Sequence, residues 1–287
     1  MLALGFGLTA ALLWAVHDLL ARKYSQTAAL LPLLVVVLGA GTLGLVPVAL
    51  AVGGWQAMTA ASLGLAALSG LAFALAIGGL YRAFSLAPVR LVSPVVGAYP
   101  LLSLLIAAAQ GRPVPTGDWL AVMVIVVGIG IVAVAARDDA PEGYAAAPGV
   151  AIGWAILSAV GFAATFALAQ AATRAGAELP AMLAARIVAL VALLAVMVLA
   201  SGGLRLPGPR QMGVLGVMGL LDALALGLVT ASGRLSHAEY ATVASSLFGV
   251  LTVLLAAWLL KERVRPVQWL GIAAVFSGIA ALGMLGT

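Results

Sequence analysis

An aspartate inside an apolar segment is the residue with the clearest chemical potential. Asp222 stands between Leu221 and Ala223, near the middle of an apolar run that covers residues 211 to 233. A carboxylate that faces lipid is costly, so such an acid is expected to face a cavity or a basic partner. Two interpretations remain open. Asp222 binds a ligand ammonium group or carries a proton, or it forms a structural ion pair, for which Arg186 is the best candidate.

A segment interrupted by prolines is the second candidate. The run LVSPVVGAYPLLSLL contains Pro94 and Pro100, and each proline frees the carbonyl that lies four residues before it. Irregular backbone at membrane depth is tolerated where it faces protein or a water-filled cavity. We therefore expect Ser93, Tyr99 and Pro100 to line a binding wall; the alternative is a kink that only shapes packing.

Aromatic rings at matching depths are the third candidate. Trp14 aligns with Phe162 in a later apolar run, and Tyr81 and Trp154 are expected nearer one membrane surface. Rings at such depths can pack against a cation or an apolar group. The alternative is that they fill the core.

An imidazole and two hydroxyls complete the set. His17 can titrate near neutral pH, or it lies in a wet vestibule while the adjacent Asp18 pairs with a nearby arginine. Ser245 and Ser246 can face a ligand or bond to their own helix backbone. The candidate substrate-binding residues are thus Trp14, His17, Tyr81, Ser93, Tyr99, Pro100, Trp154, Phe162, Asp222, Ser245 and Ser246.

The elements that position these residues are apolar runs of membrane length. The chain is 64% hydrophobic and 8% charged, too few polar residues to cover a water-soluble globule of 287 residues. Because the basic residues are scattered singly or in pairs at the ends of apolar runs, the net charge of +5 does not indicate nucleic-acid binding. Ten runs suit membrane-spanning helices, at residues 2–21, 28–52, 62–84, 88–109, 117–136, 148–171, 180–200, 211–233, 237–259 and 266–285.

An internal repeat organises the ten runs. The stretch from 74 to 136 returns in the second half of the chain, so that Gly78 matches Gly227 and, after a one-residue shift, Gly128 matches Gly278. We predict an all-α polytopic membrane protein of two five-helix repeats, at residues 1–137 and 148–287, joined by a link at 138–147. Repeats with an odd number of spans lie in opposite orientations, as in many secondary transporters.

The distribution of Lys and Arg predicts the orientation. Cytoplasmic loops are enriched in these residues, so the face with more of them is expected to be cytoplasmic and both termini extracytoplasmic. One face carries Arg22, Lys23, Arg82, Arg90, Arg137, Arg205, Arg210, Lys261, Arg263 and Arg265, and the other carries Arg112, Arg174 and Arg234.

Particular motifs add a family resemblance. The second repeat contains Tyr240-Ala241, the run LLKERV at 259–264, and Gln268 followed by Gly271; the first contains LAPV at 86–89. With the repeat, these motifs resemble the drug/metabolite transporter superfamily of EamA type, and are similar to YddG-like amino-acid exporters. Where a Gly-Glu pair is usual in the first repeat, this chain has Gln110-Gly111-Arg112, so the role of that glutamate is left to Glu262.

The resemblance implies a basket of ten helices whose central pathway is lined mainly by helices 1, 3, 4, 6, 8 and 9. It implies a secondary transporter of the inner membrane that exports small metabolites, with amino acids as the expected substrate. The open alternatives are a proton-driven carrier of drugs or organic cations and a membrane-embedded enzyme acting on lipid. The enzyme would depend on the acidic cluster at 138–142, and we expect no cofactor, no metal and no nucleic-acid partner. Neither the coupling ion nor the oligomeric state follows from the sequence.

Overall fold

The computed structural model describes residues 2–27, 29–99, 102, 105, 108, 115–137, 148–201, 206–232, 244, 245 and 247–285. The predicted site residues Pro100 and Ser246 lie outside these ranges, as does the acidic cluster at 138–142. Within the ranges, the chain is helical and contains no β-strand.

Ten α-helices account for most of the described residues, and a short 3₁₀ turn at Trp55–Ala57 follows the second. Their positions agree with the apolar runs, and Gly53 and Gly54, which end the second helix, have positive φ angles of 78° and 89°. We number the helices α1 Leu2–Ser25, α2 Leu30–Val52, α3 Ala60–Leu86, α4 Val89–Gly97, α5 Thr116–Arg137, α6 Pro148–Arg174, α7 Glu178–Ser201, α8 Pro209–Ser232, α9 Phe248–Leu259 and α10 Pro266–Leu285.

Five of the described helices are long and apolar enough to cross a membrane. They contain the spans Leu30–Val52, Ala60–Leu86, Pro148–Arg174, Glu178–Ala200 and Pro209–Val229. The segments Thr116–Val132 and Phe248–Leu259 are shorter apolar helices. The expectation of an all-helical multi-pass membrane protein is therefore confirmed, whereas ten spans remain a prediction.

The outer surface of the fold is apolar, and several charged side chains are buried. Large apolar side chains such as Leu43, Leu199 and Trp258 are exposed on the outer surface, whereas Asp18 and Arg186 are buried. A lipid-facing surface gives this distribution, because the few charged groups of a membrane protein face the bundle interior.

Helix pairs in the bundle are joined by small residues and hydroxyls. The closest pairs are α3 with α6, α5 with α10, α3 with α7, and α8 with both α1 and α2. Between α3 and α6, Ser62 Oγ donates to the Ala172 carbonyl at 2.8 Å and Ser69 Oγ donates to the Thr165 carbonyl at 3.0 Å. Such bonds hold helices together in lipid, where apolar contact alone gives little preference for protein over lipid. This packing fixes the side chains that surround a central cavity.

Candidate functional site

A cavity of about 60 Å³ lies at the centre of the bundle. Its walls come from α1, α3, α4, α6, α8 and α9, the helices that the family resemblance implies, and also from α2. A cavity of this volume is large enough to hold water. Most of the wall is aromatic or aliphatic, and its polar side chains are those of His17, Asp18, Tyr81, Tyr99, Thr165 and Asp222.

Asp222 is held by two donors from other helices. Arg186 of α7 donates from Nη2 to Oδ2 at 2.9 Å, and Trp14 of α1 donates from Nε1 to Oδ1 at 3.2 Å. The Arg186 side chain is 1% exposed and that of Asp222 is 15% exposed. The ion pair considered from the sequence is therefore present, yet Asp222 also lines the cavity. The structural ion pair is thus observed, whereas a role of Asp222 in binding a ligand or carrying a proton stays a prediction.

Arg186 is incompletely satisfied by this pair. Its Nε and Nη1 atoms are buried and have no hydrogen-bond partner among the described residues. The guanidinium carbon lies 5.7 Å from the centre of the Phe73 ring, within the range of a cation–π contact. Arg186 thus retains two unused donors beside the one that Asp222 occupies.

A second polar cluster lies in the wall formed by α1 and α3. Tyr81 Oη and His17 Nε2 are 3.0 Å apart, and His17 Nδ1 is 3.0 Å from Asp18 Oδ1. All three side chains are buried, and Asp18 Oδ2 has no hydrogen-bond partner among the described residues. The expectation that Asp18 pairs with an arginine is wrong in the described structure, because Arg22 pairs with Glu262 instead.

Aromatic rings form the rest of the wall. Trp14 and Phe248 meet edge to face with ring centres 6.1 Å apart, and Tyr99 lies 5.2 Å from Phe166. Tyr99 also hydrogen bonds to Ser245, which links the segment after α4 to the segment before α9. Ser245 therefore reaches the cavity through Tyr99 rather than as part of its lining.

Two predicted binding residues lie elsewhere. Trp154 is 37% exposed and borders an outer groove formed by α2, α3, α6 and α7. The backbone of α6 at Trp154 and Ser158 packs against Gly79 of α3. Ser93 is buried away from the cavity lining, and its hydroxyl has no partner among the described residues. Neither residue contacts the central cavity in this structure.

Several cavity residues were not predicted from the sequence. Phe166 and Thr165 lie one turn beyond Phe162 on the same face of α6, so helical spacing from a known candidate could have found them. Phe73 and Phe248 stand at the repeat positions of Asp222 and Tyr99, and the internal repeat could have identified both.

A third polar cluster surrounds Glu262, outside the cavity lining. Arg22, one turn beyond Asp18 on α1, lies 3.4 Å from Glu262 Oε1 and donates to the Phe84 carbonyl at 3.2 Å. The backbone N–H of Val89 also donates to Glu262, at 3.4 Å. These contacts tie α1 to the end of α3, the start of α4 and the segment after α9.

A second cavity of about 50 Å³ adjoins the first. The two share Phe73, Thr165, Phe166 and Leu226 in their walls. The second cavity then passes Arg186 and reaches Glu178, at the start of α7. The Asp222–Arg186 pair lies where the two spaces meet, with the acid lining the first and the base lining the second.

The described residues contain no group of three or more His, Cys, Asp or Glu side chains that could hold a metal ion. Residues 149–284 match the model of the EamA-like transporter family. No curated protein matches the chain. A solved structure described as "Crystal structure of protein" matches 99% of this chain and 96% of its own, with 18% identity and a TM-score of 0.65, a likeness of fold alone. Residues 149–284 are therefore similar to an EamA-like transporter domain.

Proposed function

We propose that this membrane transporter is a secondary carrier that exports amino acids across the inner membrane by alternating access. The observation that carries the proposal is the Asp222–Arg186 ion pair at the wall of an aromatic cavity. Residues 1–137 and 148–287 would be the two inverted halves, joined by the link at 138–147.

The pair offers both charges that a zwitterion needs. A substrate ammonium group can take the place of Arg186 on Asp222, and a substrate carboxylate can bind the guanidinium, which already has two donors without a partner in the described residues. The rings of Trp14, Phe73 and Phe162 provide an apolar surface for the side chain of an amino acid. Exchange of one ion pair for another avoids leaving either charge unpaired in a dry site.

The helix pairings support an arrangement in two equivalent halves. If α1 to α5 correspond in order to α6 to α10, the contact of α1 with α8 has its counterpart in that of α6 with α3. By the same exchange, α2 with α8 corresponds to α7 with α3, and α1 with α9 corresponds to α6 with α4. All six contacts are present.

Close backbone approaches between α5 and α10 follow the same exchange. A Cβ atom added to Gly128 would lie 2.7 Å from the carbonyl oxygen of Gly271, and one added to Gly278 would lie 2.8 Å from that of Ala121. The register that matches Gly128 with Gly278 also matches Ala121 with Gly271. The two contacts are therefore related by the repeat, as packing about a local twofold axis requires.

The cavity itself is surrounded by residues in corresponding positions. Such pairs are Trp14 with Phe162, His17 with Thr165, Asp18 with Phe166, Phe73 with Asp222, and Tyr99 with Phe248, and all ten residues line the cavity. A cavity at the interface of the repeats is where inverted-repeat carriers bind their substrates. The pairs differ in chemistry, however, so the two halves have unlike charges.

Labelling of single cysteines tests the proposed orientation. The chain has no cysteine of its own, so Glu142→Cys and Thr287→Cys each introduce one thiol. Because basic residues favour one set of loops, we expect Cys at 142 to react from the cytoplasm and Cys at 287 from outside. Reaction of both from the same side would contradict the inverted arrangement.

Reconstituted protein and a set of matched ligands test the function. Counterflow of labelled L-leucine and L-phenylalanine is measured in competition with each amino acid, with its amine (3-methylbutylamine or phenethylamine) and with its acid (4-methylpentanoate or 3-phenylpropionate). A charge-assisted hydrogen bond is worth about 1.5–3 kcal/mol, so we expect the amine and the acid to compete roughly 10- to 100-fold more weakly than the amino acid. Amines that compete equally well would favour the organic-cation carrier instead.

Two aromatic variants provide the matched control for that measurement. Phe162→Ala removes a ring from the cavity wall, whereas Trp154→Ala removes one from the outer groove of the same helix. We expect the first to raise the apparent KM or alter side-chain preference and the second to leave both near their wild-type values. Equal effects would place the substrate elsewhere.

A further inference from the structure

The cluster of Tyr81, His17 and Asp18 is not used by the zwitterion site. It is a continuous chain from a phenol through an imidazole to a carboxylate, with both links at 3.0 Å. It ends at Asp18 Oδ2, a buried oxygen without a hydrogen-bond partner in the part of the chain described. Intramembrane His and Asp side chains are costly, and chains of them serve as proton relays in pumps and transporters.

The surroundings of His17 bring opposing charges near it. The charged groups near it are Asp18 on its own helix, Asp222 on α8 and Arg186 on α7, and Tyr81 on α3 contributes a neutral hydroxyl. The other neighbours in the cavity wall are aliphatic and aromatic side chains, apart from the hydroxyl of Thr165. An unpaired charge in such a wall is unfavourable, so one proton shared by His17 and Asp18 would leave the pair with balanced charges.

The hydrogen-bonded cluster of Tyr81, His17 and Asp18 belongs to one repeat, and the charges proposed to bind substrate belong to the other. His17 and Asp18 correspond to Thr165 and Phe166, which cannot exchange protons near neutral pH, and Asp222 corresponds to Phe73. One half of the protein therefore supplies the acid of the ion pair, while the other supplies the imidazole and carboxylate.

We propose that the His17–Asp18 pair, assisted by Tyr81, is the proton-binding site of the carrier and exchanges one proton inward for each substrate exported. This rests on the proposed function, and it assigns the proton to a site other than Asp222. From outside, a proton binds the pair, so that the imidazolium faces the carboxylate; on the cytoplasmic side the same proton is released, and the neutral imidazole remains. No bond other than that to the proton forms or breaks.

Trp14 connects the two sites. It lies three and four residues before His17 and Asp18 on α1, so all three share one face of the helix. The same indole donates to Asp222 at 3.2 Å. Substrate that takes the place of Arg186 on Asp222 binds the carboxylate to which this indole donates, so a shift of Asp222 would be passed to Trp14 and to the His17 imidazole on the same helix face. Proton binding and substrate binding are thereby coupled through one helix.

Two measurements on the full-length protein in liposomes separate coupling from transport. Counterflow of labelled L-leucine or L-phenylalanine without a gradient reports binding and alternating access, whereas uptake driven by an acidic interior reports coupling. With the membrane potential held at zero by potassium and valinomycin, one pH unit supports an accumulation of about tenfold for one proton per substrate. If the wild-type protein shows counterflow but does not accumulate amino acid in response to the pH gradient, the proposed proton site is wrong. Absence of counterflow would instead reject the amino-acid function.

Variants assign the coupling to this cluster. We expect His17→Gln and Asp18→Asn to abolish accumulation while counterflow persists at a lower rate that no longer depends on pH. Thr165→Val, at the repeat position of His17, also changes the cavity wall, so it controls for altered transport: whatever its rate of counterflow, it should keep the ratio of driven to exchange flux. If either substitution in the cluster leaves about tenfold accumulation per pH unit, the proton is carried elsewhere. Thermal unfolding in detergent shows that each variant is folded before its flux is compared.

Discussion

Asp222→Leu is expected to destabilise the protein by about 3–5 kcal/mol, because it leaves the Arg186 guanidinium buried without its counter-ion. Arg186 is 1% exposed, and the described residues offer it no other carboxylate within ion-pair distance. Arg186→Met should cost less, about 1–3 kcal/mol, since Asp222 borders the cavity and keeps the hydrogen bond from Trp14. Reversible unfolding in mixed detergent micelles measures both values.

The double variant Asp222→Leu/Arg186→Met separates structure from transport. Replacement of a buried ion pair by apolar residues is often neutral or stabilising, so the double variant should regain most of the stability lost by Asp222→Leu. It should nevertheless remain inactive in amino-acid counterflow, because both substrate charges have lost their partners. A double variant with wild-type transport would show that the pair is only structural. A stable Asp222→Leu single variant would contradict the ion pair itself.

The sequence predicted where the helices lie along the chain better than which side of each helix faces the interior. Apolar length and turn residues such as Gly53 and Gly54 located the described helices because both signals are local. α6 is apolar on all sides, so periodicity does not show which face is interior. Trp154 and Phe162 therefore looked equivalent, whereas the structure places the first at the outer groove and the second at the cavity.

The chemistry of the site depended on contacts between distant segments. Composition shows that Asp222 needs a partner, but the approach of α7 and α1 decides that it has both Arg186 and Trp14. The partner of Asp18 was predicted wrongly for the same reason. Arg22 lies one turn away along α1, but Glu262, from the other end of the chain, binds it.

Alanine at the two crossing glycines is expected to destabilise the fold by about 1–3 kcal/mol each, the usual cost of overpacking. A Cβ atom at Gly219 of α8 would overlap the carbonyl of Val37 in α2, and one at Gly70 of α3 would overlap the carbonyl of Ala185 in α7. These neighbours are backbone atoms, which cannot rotate away as a side chain can. The helices would have to separate, and both crossings adjoin the elements that carry the Asp222–Arg186 pair.

Two further glycines on the same helices are the matched controls. Gly227 and Gly78 have no atom within 4 Å of an added Cβ atom, so alanine there should gain up to about 1 kcal/mol of helix propensity instead. The register that matches Gly78 with Gly227 also matches Gly70 with Gly219. The repeat therefore requires alanine to lower the stability at both Gly70 and Gly219 and at neither Gly78 nor Gly227. Unfolding of the four single variants in mixed micelles measures this pattern. Tolerance of alanine at one crossing but not at the other would mean that packing does not follow the repeat, and the case for two equivalent halves would lose its structural support.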